Sequence, residues 1–532
     1  MSSPGPTAVR SPSENCARMK KLGYIAGKHV DLYGEHVELV SEPFEEGECV
    51  AVRAISESNP TERTIDLPVS LLSGWEDLIE EPAGSNASEL AEVETNPNET
   101  PESRSADGGN IQDTNSKTST AAATQKSTTG PFGATAGMPG RFKGNFDFQF
   151  VRTMGCTTYD GAEIGECYET ASRIEDENED SYTEAWRVTA ERVEPIASKS
   201  LAGGHLVSAR EAFLRASSYW REAGFYQSTT DPECRAGWER QRDCFIQAGK
   251  LMDPPFEVVS IPYENGTSLP GYFLKADASN KPRPTFLSVG GADSLAEELY
   301  FWGGGAAALR RGYNALLFEI PGQRGAMYSN PGAELFYRPD TEVPLKYVCD
   351  WVLGRADVDP KRLALAGWSL GGYFAPRAAA FEKRIKACIA STTLPNWQDA
   401  VQVMLGLPPG QPCPGNLEST IDLSTVGSRF IAKGDIRYRH GASGGTIAEF
   451  VDGLSKYNLW GLEDKITCPY FNIGGQGEGQ LAVVSQKFYD KLTCPKAQHI
   501  ITTKEGGEAH CGVNDASLSH QIVFDWLDDV FK

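Results

Sequence analysis

From residue 256 to the C-terminus, short apolar runs alternate with segments of helical periodicity, and this alternation limits the possible folds more than any other feature. The runs read FEVVSIPYE, TSLPGYFLK, PTFLSV, NALLFEI, RLALAG, KACIAS, YFNIGG and HIITTK. Near-continuous apolar strands between helices are typical of a parallel sheet that is covered on both faces. The dipeptide Asn265-Gly266 separates the first two runs and favours a two-residue hairpin turn. We therefore predict an α/β fold with a mostly parallel, doubly wound sheet.

The periodicity also predicts how the second part of the chain is divided. Residues 183–193 and 207–225 place apolar side chains at three- and four-residue steps, so 141–252 is predicted to be helical and to precede a catalytic domain at 253–532. Within 253–532, helices are predicted through 295–311 and 343–353 and from Gly371 onward. Nearly 80 residues separate KACIAS from YFNIGG, which predicts a lid insertion at about 396–458.

Residues 1–140 contain two different compositions. Residues 1–80 include β-like alternation at 30–39 and an apolar run at 49–55, which predict a small β unit of unknown role. Residues 81–140 are rich in Ser, Thr, Asn, Ala, Gly and Pro. Such a stretch buries too little apolar surface to offset its ordering entropy, so a flexible, disordered linker is predicted there. The β unit could pack on the rest of the chain or mediate self-association, which would produce a homodimer.

Charge and cysteine content exclude several functional classes. The 532 residues include 50 basic and 72 acidic side chains, and the net charge of −22 disfavours nucleic acid and membrane surfaces as partners. Twelve cysteines without a CxxC pair predict neither a disulfide framework nor a zinc site. No apolar run approaches the ~18–20 residues of a membrane span, and residues 1–18 lack the apolar region of a secretory signal. We therefore expect a cytoplasmic protein.

A nucleophile is predicted in the motif GWSLG, which contains Ser369 and lies directly between the strand RLALA and a helix. In this context a GxSxG pattern forms a sharp turn that exposes the serine to substrate. The alternative is an ordinary glycine-rich turn whose serine only caps the helix. A serine nucleophile also needs a base, and the base needs an acid that orients it.

His510 is the predicted base, because it follows the last strand in the loop EGGEAHCG before the terminal helix. His499 falls in that strand, where we expect a buried structural role, and His520 falls on the terminal helix, where we expect exposure. Glu478, in the loop QGEGQ after YFNIGG, is the predicted acid. Asp399, after KACIAS, is the alternative acid. Nucleophile, acid and base then occur in the chain order typical of a strand-turn-helix serine site.

Two backbone N–H groups are predicted to stabilise an oxyanion. One belongs to Leu370, the residue after the nucleophile. The other belongs to the loop after PTFLSV, where Gly290-Gly291-Ala292-Asp293 allows close approach of the backbone, and Gly291 or Ala292 would be the donor. A plain tight turn is the alternative role of these glycines. Acyl chemistry of this kind needs neither a metal ion nor an organic cofactor.

From about residue 144 to the C-terminus, the chain resembles the fungal and bacterial α/β-hydrolases that have an N-terminal helical cap. The resemblance rests on FDFQFVRTMG, AREAFLRASSYWREA, GGADSLAEELY, FEIPGQRG, GWSLGG, GGQGEG and AHCG, in this order. This group includes the fungal pigment-pathway polyketide-shortening hydrolases and 2,6-dihydroxypseudooxynicotine hydrolase. The resemblance implies an α/β-hydrolase fold with 141–252 as the cap, Ser369 as nucleophile, His510 as base and Glu478 as acid, where many members have Asp.

The resemblance further implies an enzyme that cleaves a carbon–carbon bond next to a carbonyl in an aromatic or polyketide small molecule. The residues themselves do not separate this reaction from ester hydrolysis, because both pass through an acyl-enzyme. Two further hypotheses stay open. The same triad could transfer the acyl group or process a polyketide without hydrolysis, or the chain could be a non-catalytic scaffold whose function lies in residues 1–140.

Overall fold

The computed structural model describes residues 16, 19–20, 25–32, 35–46, 49–55, 61–67, 142, 144–420 and 434–532. These residues belong to two compact units, one within 1–118 and one within 119–532. The whole of the linker predicted at 81–140 lies outside the described residues, and so do residues 421–433 of the predicted lid insertion.

The first unit contains a small antiparallel sheet, in agreement with the alternating pattern of its sequence. Its strands are β1 (His29–Leu32), β2 (Glu35–Leu39), β3 (Phe44–Glu46), β4 (Cys49–Ile55) and β5 (Arg63–Leu67). Strand β4 pairs with β2, β3 and β5, and β1 pairs with β2. Val37 and Leu39 of β2 are buried, as are Ala51, Val52 and Ala54 of β4. These side chains give the sheet a small apolar core.

The described residues of the second unit begin with five α-helices, α1 (Gly144–Gly155), α2 (Ile164–Ala171), α3 (Glu179–Ala202), α4 (Leu206–Ala223) and α5 (Pro232–Lys250). The segment predicted as helical at 183–193 lies in α3, and the one predicted at 207–225 coincides with α4 except for its last two residues. Helix α3 begins where the Asn178 side chain accepts a hydrogen bond from the Ser181 N–H. Helix α5 begins after Asp231, which caps its first turn, with Pro232 at the first helical position.

An eight-stranded sheet follows, with strands β6 (Glu257–Pro262), β7 (Ser268–Leu274), β8 (Arg283–Val289), β9 (Asn314–Phe318), β10 (Val358–Trp368), β11 (Ala387–Ser391), β12 (Tyr470–Gly475) and β13 (Lys496–Ile501). Their order is β13-β12-β11-β10-β8-β9-β7-β6. Neighbours from β13 to β9 are parallel, whereas β7 pairs antiparallel with both β9 and β6. Asn265 and Gly266 have φ angles of 55° and 75°, as a two-residue hairpin turn requires. The predicted α/β fold is confirmed.

Side chains of the central strand alternate between two apolar cores. Leu363 and Leu365 of β10 belong to one core, and Ala364 and Ala366 belong to the other. The helices after β8 are α6 (Gly305–Arg310), α7 (Arg324–Ser329), α8 (Glu342–Leu353), α9 (Gly371–Phe381), α10 (Trp397–Met404), α11 (Leu417–Thr420), α12 (Asp435–Arg439), α13 (Ile447–Gly453), α14 (Gln480–Lys491) and α15 (Ala516–Val530). A strand that is apolar on both faces therefore has a packed layer on each side, as predicted.

The helix predicted through 295–311 is wrong over most of its length. The structure has a short 3₁₀ turn at Glu297–Tyr300 and then α6, which begins only at Gly305. Three consecutive glycines, 303–305, lie between the turn and the helix, and Gly304 has a φ of 87°. A left-handed residue cannot continue a right-handed helix, so the apolar spacing of this segment does not produce one continuous helix.

In the described part of the segment predicted as a lid insertion, four α-helices, α10 to α13, lie between β11 and β12. The domain boundaries at 141–252, 253–532 and 396–458 stay predictions, because helix positions alone do not define a domain. Among the helices that the structure describes, none is long and apolar enough to span a membrane.

Candidate active site

Ser369 occupies a sharp turn between β10 and α9. Its φ is 59°, a left-handed conformation that non-glycine residues seldom adopt. The Ser369 N–H donates to the Ser391 carbonyl at 2.6 Å, and its own carbonyl accepts from the Gly372 N–H at 2.7 Å. A Cβ atom on Gly367 would lie 1.9 Å from the Gly371 carbonyl oxygen, so only glycine fits there. This geometry is that of the strained turn expected from GxSxG.

His510 and Glu478 are in direct contact. His510 Nδ1 lies 2.8 Å from Glu478 Oε1, and both side chains are buried. Glu478 follows β12 in a 3₁₀ turn, and its carboxylate also accepts from the Cys511 N–H at 3.3 Å and from the Thr392 hydroxyl. The carboxylate is therefore held by three donors from two segments, the turn at residues 510–511 and the residue after β11, and it orients the imidazole.

The alternative acid lies elsewhere. Asp399 is in the first turn of α10, where its N–H donates to the Asn396 side chain at 3.3 Å. It does not line the cavity that contains Ser369 and His510. Of the two candidate acids, Glu478 is the one that contacts His510 among the residues that the structure describes.

The charge state of the site follows from these contacts. Burial lowers the pKa of His510, but Cys511 and the Glu478 carboxylate outweigh burial and raise that pKa well above the usual histidine value. Burial acts on Asp293 in the opposite sense and raises its pKa, yet the guanidinium groups of Arg152 and Arg221 bring it down to about 2. Asp293 is thus an ionised group in the cavity at neutral pH.

The oxyanion loop bears on the choice between Gly291 and Ala292 as the second predicted donor. A Cβ atom on Gly291 would lie 2.5 Å from Ser369 Cβ and 2.9 Å from the Leu370 nitrogen, so this loop directly contacts the nucleophile turn. The Gly291 N–H, however, donates to Ser294 Oγ at 3.0 Å. Ala292 lines the cavity, whereas Gly291 is not among its lining residues. The geometry therefore favours the Ala292 N–H over that of Gly291 as the second donor beside Leu370.

A cavity extends from Ser369 and contains about 1060 Å³ of atom-free space, part of it open to solvent. Its walls combine aromatic side chains with a few polar groups. The lining residues are Asn145, Phe146, Phe148, Gln149, Arg152, Glu179, Phe225, Tyr226, Gln227, Ala292, Asp293, Ser294, Trp302, Arg324, Ser369, Trp397, Met404, Asp435, His510, Cys511 and Val513. Residues from α1, from the α4–α5 loop and from the segment between β11 and β12 thus meet at the nucleophile.

Sequence reasoning missed a buried ionic cluster beside the oxyanion loop. Arg152 of α1 contacts Asp293 at 2.8 Å and Glu298 at 2.7 Å, and Arg221 of α4 contacts Glu298 at 3.0 Å. The partners are about 70 to 150 positions apart in the chain, so no local pattern joins them. The sequence shows only an arginine in each of two helices whose buried positions include several other polar residues.

A second ionic group joins three segments at another wall of the cavity. Arg324 of α7 donates to the Gly224 and Gln227 carbonyls at 3.0 and 2.6 Å, and to Thr229 Oγ1 at 3.1 Å. It also contacts Asp435 of α12 at 3.3 Å. We call these contacts the Arg324 clamp.

The sequence is similar to those of known hydrolases, although no family model matches the chain. A 20-hydroxy-prefusarin hydrolase of Gibberella moniliformis is 32% identical over 415 residues, which is 73% of this chain and 96% of the relative. The alpha/beta hydrolase xenA of Xenoacremonium sinensis is 34% identical over 358 residues, or 63% of this chain and 82% of the relative. This chain belongs to the α/β-hydrolase family.

A solved structure supports the fold of this α/β-hydrolase. The crystal structure of 2,6-dihydroxy-pseudo-oxynicotine hydrolase superposes with a TM-score of 0.55 and 21% identity, covering 71% of this chain and 95% of that one. This structure supports the fold alone, and the relatives that are hydrolases of more than 30% identity support a hydrolase activity for this chain.

Proposed function

We propose that this α/β-hydrolase is a serine hydrolase that cleaves a carbon–carbon bond adjacent to a carbonyl, or an ester, through an acyl-enzyme. Its substrate is an aromatic or polyketide-type small molecule. The observation that carries the proposal is the 2.8 Å contact between His510 Nδ1 and Glu478 Oε1, in the cavity that also contains Ser369. A nucleophile, a base and an orienting acid are the parts that acyl chemistry requires.

The roles follow from the contacts. With Nδ1 engaged by Glu478, Nε2 of His510 is the nitrogen that takes the proton as Ser369 Oγ attacks the substrate carbonyl. The carbonyl oxygen becomes an oxyanion, which the N–H groups of Leu370 and Ala292 stabilise. Glu478 stabilises the imidazolium that forms at the same time.

Collapse of the tetrahedral intermediate breaks the bond on the far side of the carbonyl. In carbon–carbon cleavage the leaving group is an enolate, and in ester cleavage it is an alkoxide; His510 returns its proton to either one. Water, deprotonated by His510, then attacks the acyl-enzyme and releases the acid. The carbon atom is the harder leaving group, because an alkyl carbanion must be stabilised as an enolate by a second carbonyl.

The cavity supports the substrate class. Phe146, Phe148, Phe225, Tyr226 and Trp302 line it, and such side chains pack on flat or extended apolar molecules. The name of one relative, a 20-hydroxy-prefusarin hydrolase, is consistent with a substrate from fungal polyketide metabolism.

Covalent labelling tests the nucleophile. A fluorophosphonate probe is expected to label the full chain on Ser369, with the adduct located by peptide mass spectrometry. Ser369→Ala should abolish labelling and lower kcat by about 10⁴- to 10⁶-fold with little change in thermal stability. Ser517→Ala removes an exposed serine on α15 and serves as the matched control. A Ser369→Ala variant that keeps a tenth of wild-type turnover would refute the covalent mechanism.

A matched substrate pair tests the bond type. An aryl β-diketone and an aryl ester with the same acyl group generate the same acyl-enzyme and differ only in the leaving group. We expect turnover of the diketone to an acid and a ketone. Turnover of the ester alone would keep the serine mechanism and remove the carbon–carbon assignment.

A further inference from the structure

The buried ionic cluster beside the oxyanion loop carries an uneven charge. It contains the guanidinium groups of Arg152 and Arg221 and the carboxylates of Glu222, Glu298 and Asp293. Arg152 and Arg221 are about 4% exposed, and Glu222 and Glu298 are equally enclosed. Two cations and three anions leave one negative charge in excess, and such a charge is costly in a buried site unless a donor meets it.

Two of the three carboxylates are satisfied within the protein. Glu222 accepts from the Tyr182 hydroxyl at 2.7 Å as well as from Arg221. Glu298 accepts from the Trp302 indole at 3.1 Å and from the Leu295 N–H at 2.8 Å, in addition to both arginines. Both oxygens of each of these two carboxylates therefore have a donor.

Asp293 differs from both. Its side chain is 25% exposed and lines the cavity. Arg152 and Arg221 both approach Oδ2, at 2.8 and 3.7 Å. In the described parts of the chain, no hydrogen-bond donor meets Oδ1. The acceptor capacity that the cluster leaves unused thus belongs to one oxygen of a cavity-lining carboxylate.

Asp293 also lies close to the reacting atoms. It is two residues from Gly291, which contacts the Ser369 turn, and it shares the cavity with Ser369 and His510. Asp293 and Ser369 therefore face the same substrate space. Anionic groups are repelled there, whereas a neutral hydroxyl group satisfies Oδ1 without adding charge.

We propose that Asp293 determines specificity by accepting a hydrogen bond from a phenolic or enolic hydroxyl group of the substrate, near the carbonyl that Ser369 attacks. This inference rests on the proposed function and extends it from a carbon skeleton to a required substituent. Asp293 binds and orients the substrate, and the proton transfers remain with His510.

The test compares an aryl β-diketone or ester that carries an ortho-hydroxyl group with its methyl ether and with its ortho-amino analogue. The wild-type enzyme should favour the hydroxyl compound over the ether by about 10- to 100-fold in kcat/KM, since the hydrogen bond to a charged acceptor is lost. Asp293→Asn should reduce that ratio to within a few-fold. Asp525→Asn, an exposed position on α15, is the matched control and should keep the ratio.

If Asp293→Asn does not fold, the ratio of kcat/KM for the hydroxyl compound to that for the methyl ether, measured on the wild-type enzyme, tests the proposal by itself. A ratio near one, or a preference for the amino analogue, overturns the hydroxyl assignment. Fluorophosphonate labelling of Ser369 separates the two failures: labelling with a ratio near one removes only this inference, and absence of labelling removes the proposed function together with it.

Discussion

Glu478 receives hydrogen bonds from His510, from the Cys511 N–H and from the Thr392 hydroxyl, although its side chain is fully buried. We expect Glu478→Gln to lower kcat by about 10³- to 10⁴-fold, because the amide no longer selects the imidazole tautomer that accepts the serine proton. Steady-state kinetics and a thermal unfolding curve for the same preparation would check this.

Asp399→Asn is the matched control for that substitution. Asp399 lies in the first turn of α10 and does not line the cavity, so its loss should change kcat by less than about tenfold. The opposite ranking of the two variants would assign the acid to Asp399.

The pH profile of the enzyme should reflect the raised pKa of His510. Burial lowers this pKa, but Cys511 and Glu478 outweigh it. Only the neutral imidazole can act as a base, so kcat/KM should fall as the pH falls through that pKa, and the acid limb should lie above the ordinary histidine value of about 6.5. Glu478→Gln should move the limb to lower pH. A wild-type limb below 6.5 would contradict the electrostatics described here.

Individual residues show where sequence reasoning succeeds and where it fails. Ser369 and His510 carry local signals, a GxSxG turn and a glycine-rich loop after the last strand, and the structure brings both to one cavity. His520 was expected to be exposed, but it is fully buried between the Tyr159 hydroxyl at 2.8 Å and the Trp302 carbonyl at 2.9 Å. His499 was expected to be buried, yet it is about one-third exposed and contacts Glu505 at 3.0 Å.

For His520, the physical reason for the wrong prediction is the distance along the chain to its hydrogen-bond partner. Tyr159 is 361 residues from His520, so the periodicity of α15 contains no sign of the polar group that its histidine meets. Burial lowers the pKa of His520 to about 4, and the imidazole is neutral at physiological pH. A neutral ring with two hydrogen bonds is tolerated in a core, which hydropathy alone does not indicate.

At the scale of secondary structure, the Arg324 clamp connects α7, the α4–α5 loop and α12. Arg324→Met should lower the free energy of unfolding by about 3 kcal/mol, because it removes one of the two cations, Arg324 and Arg439, that contact the buried Asp435. The substitution should also increase proteolysis near α12, because this helix loses its ion pair with Arg324. Chemical denaturation and limited proteolysis measure the two effects.

Arg187→Met is the matched control, because Arg187 is an exposed arginine on α3 with two acidic partners. Its loss should cost less than about 1 kcal/mol. Equal effects of the two substitutions would mean that the clamp contributes no more than a surface ion pair.

Strands were easier to predict than helices. Each apolar run of the sheet is short and continuous, and a strand buried on both faces needs no other pattern. The segment 295–311 has helical spacing, but the backbone at Gly304 interrupts it. The helical regions that line the cavity could be located from their periodicity, whereas the salt bridges that join them to the sheet could not.

At the scale of the whole molecule, the division into two units predicts that the N-terminal part of the chain can be deleted without loss of activity. Every residue that we place in the site lies after residue 144, so deletion of residues 1–140 should leave a folded enzyme with unchanged kcat/KM. Turnover, thermal stability and molecular mass of the truncated and full-length chains should be measured side by side. A large loss of kcat/KM at unchanged stability would assign the first 140 residues a role in catalysis.

The backbone of Ser369 has a consequence for how this chain can change. Serine at a φ of 59° is strained by roughly 1 kcal/mol or more, and Cys511, next to His510, has a φ of 61°. Glycine would relieve the strain at either position while ending or weakening the chemistry. Selection for stability alone would therefore favour an inactive protein, and a stability-only mutational scan should locate the catalytic centre as the place where loss of a side chain is beneficial.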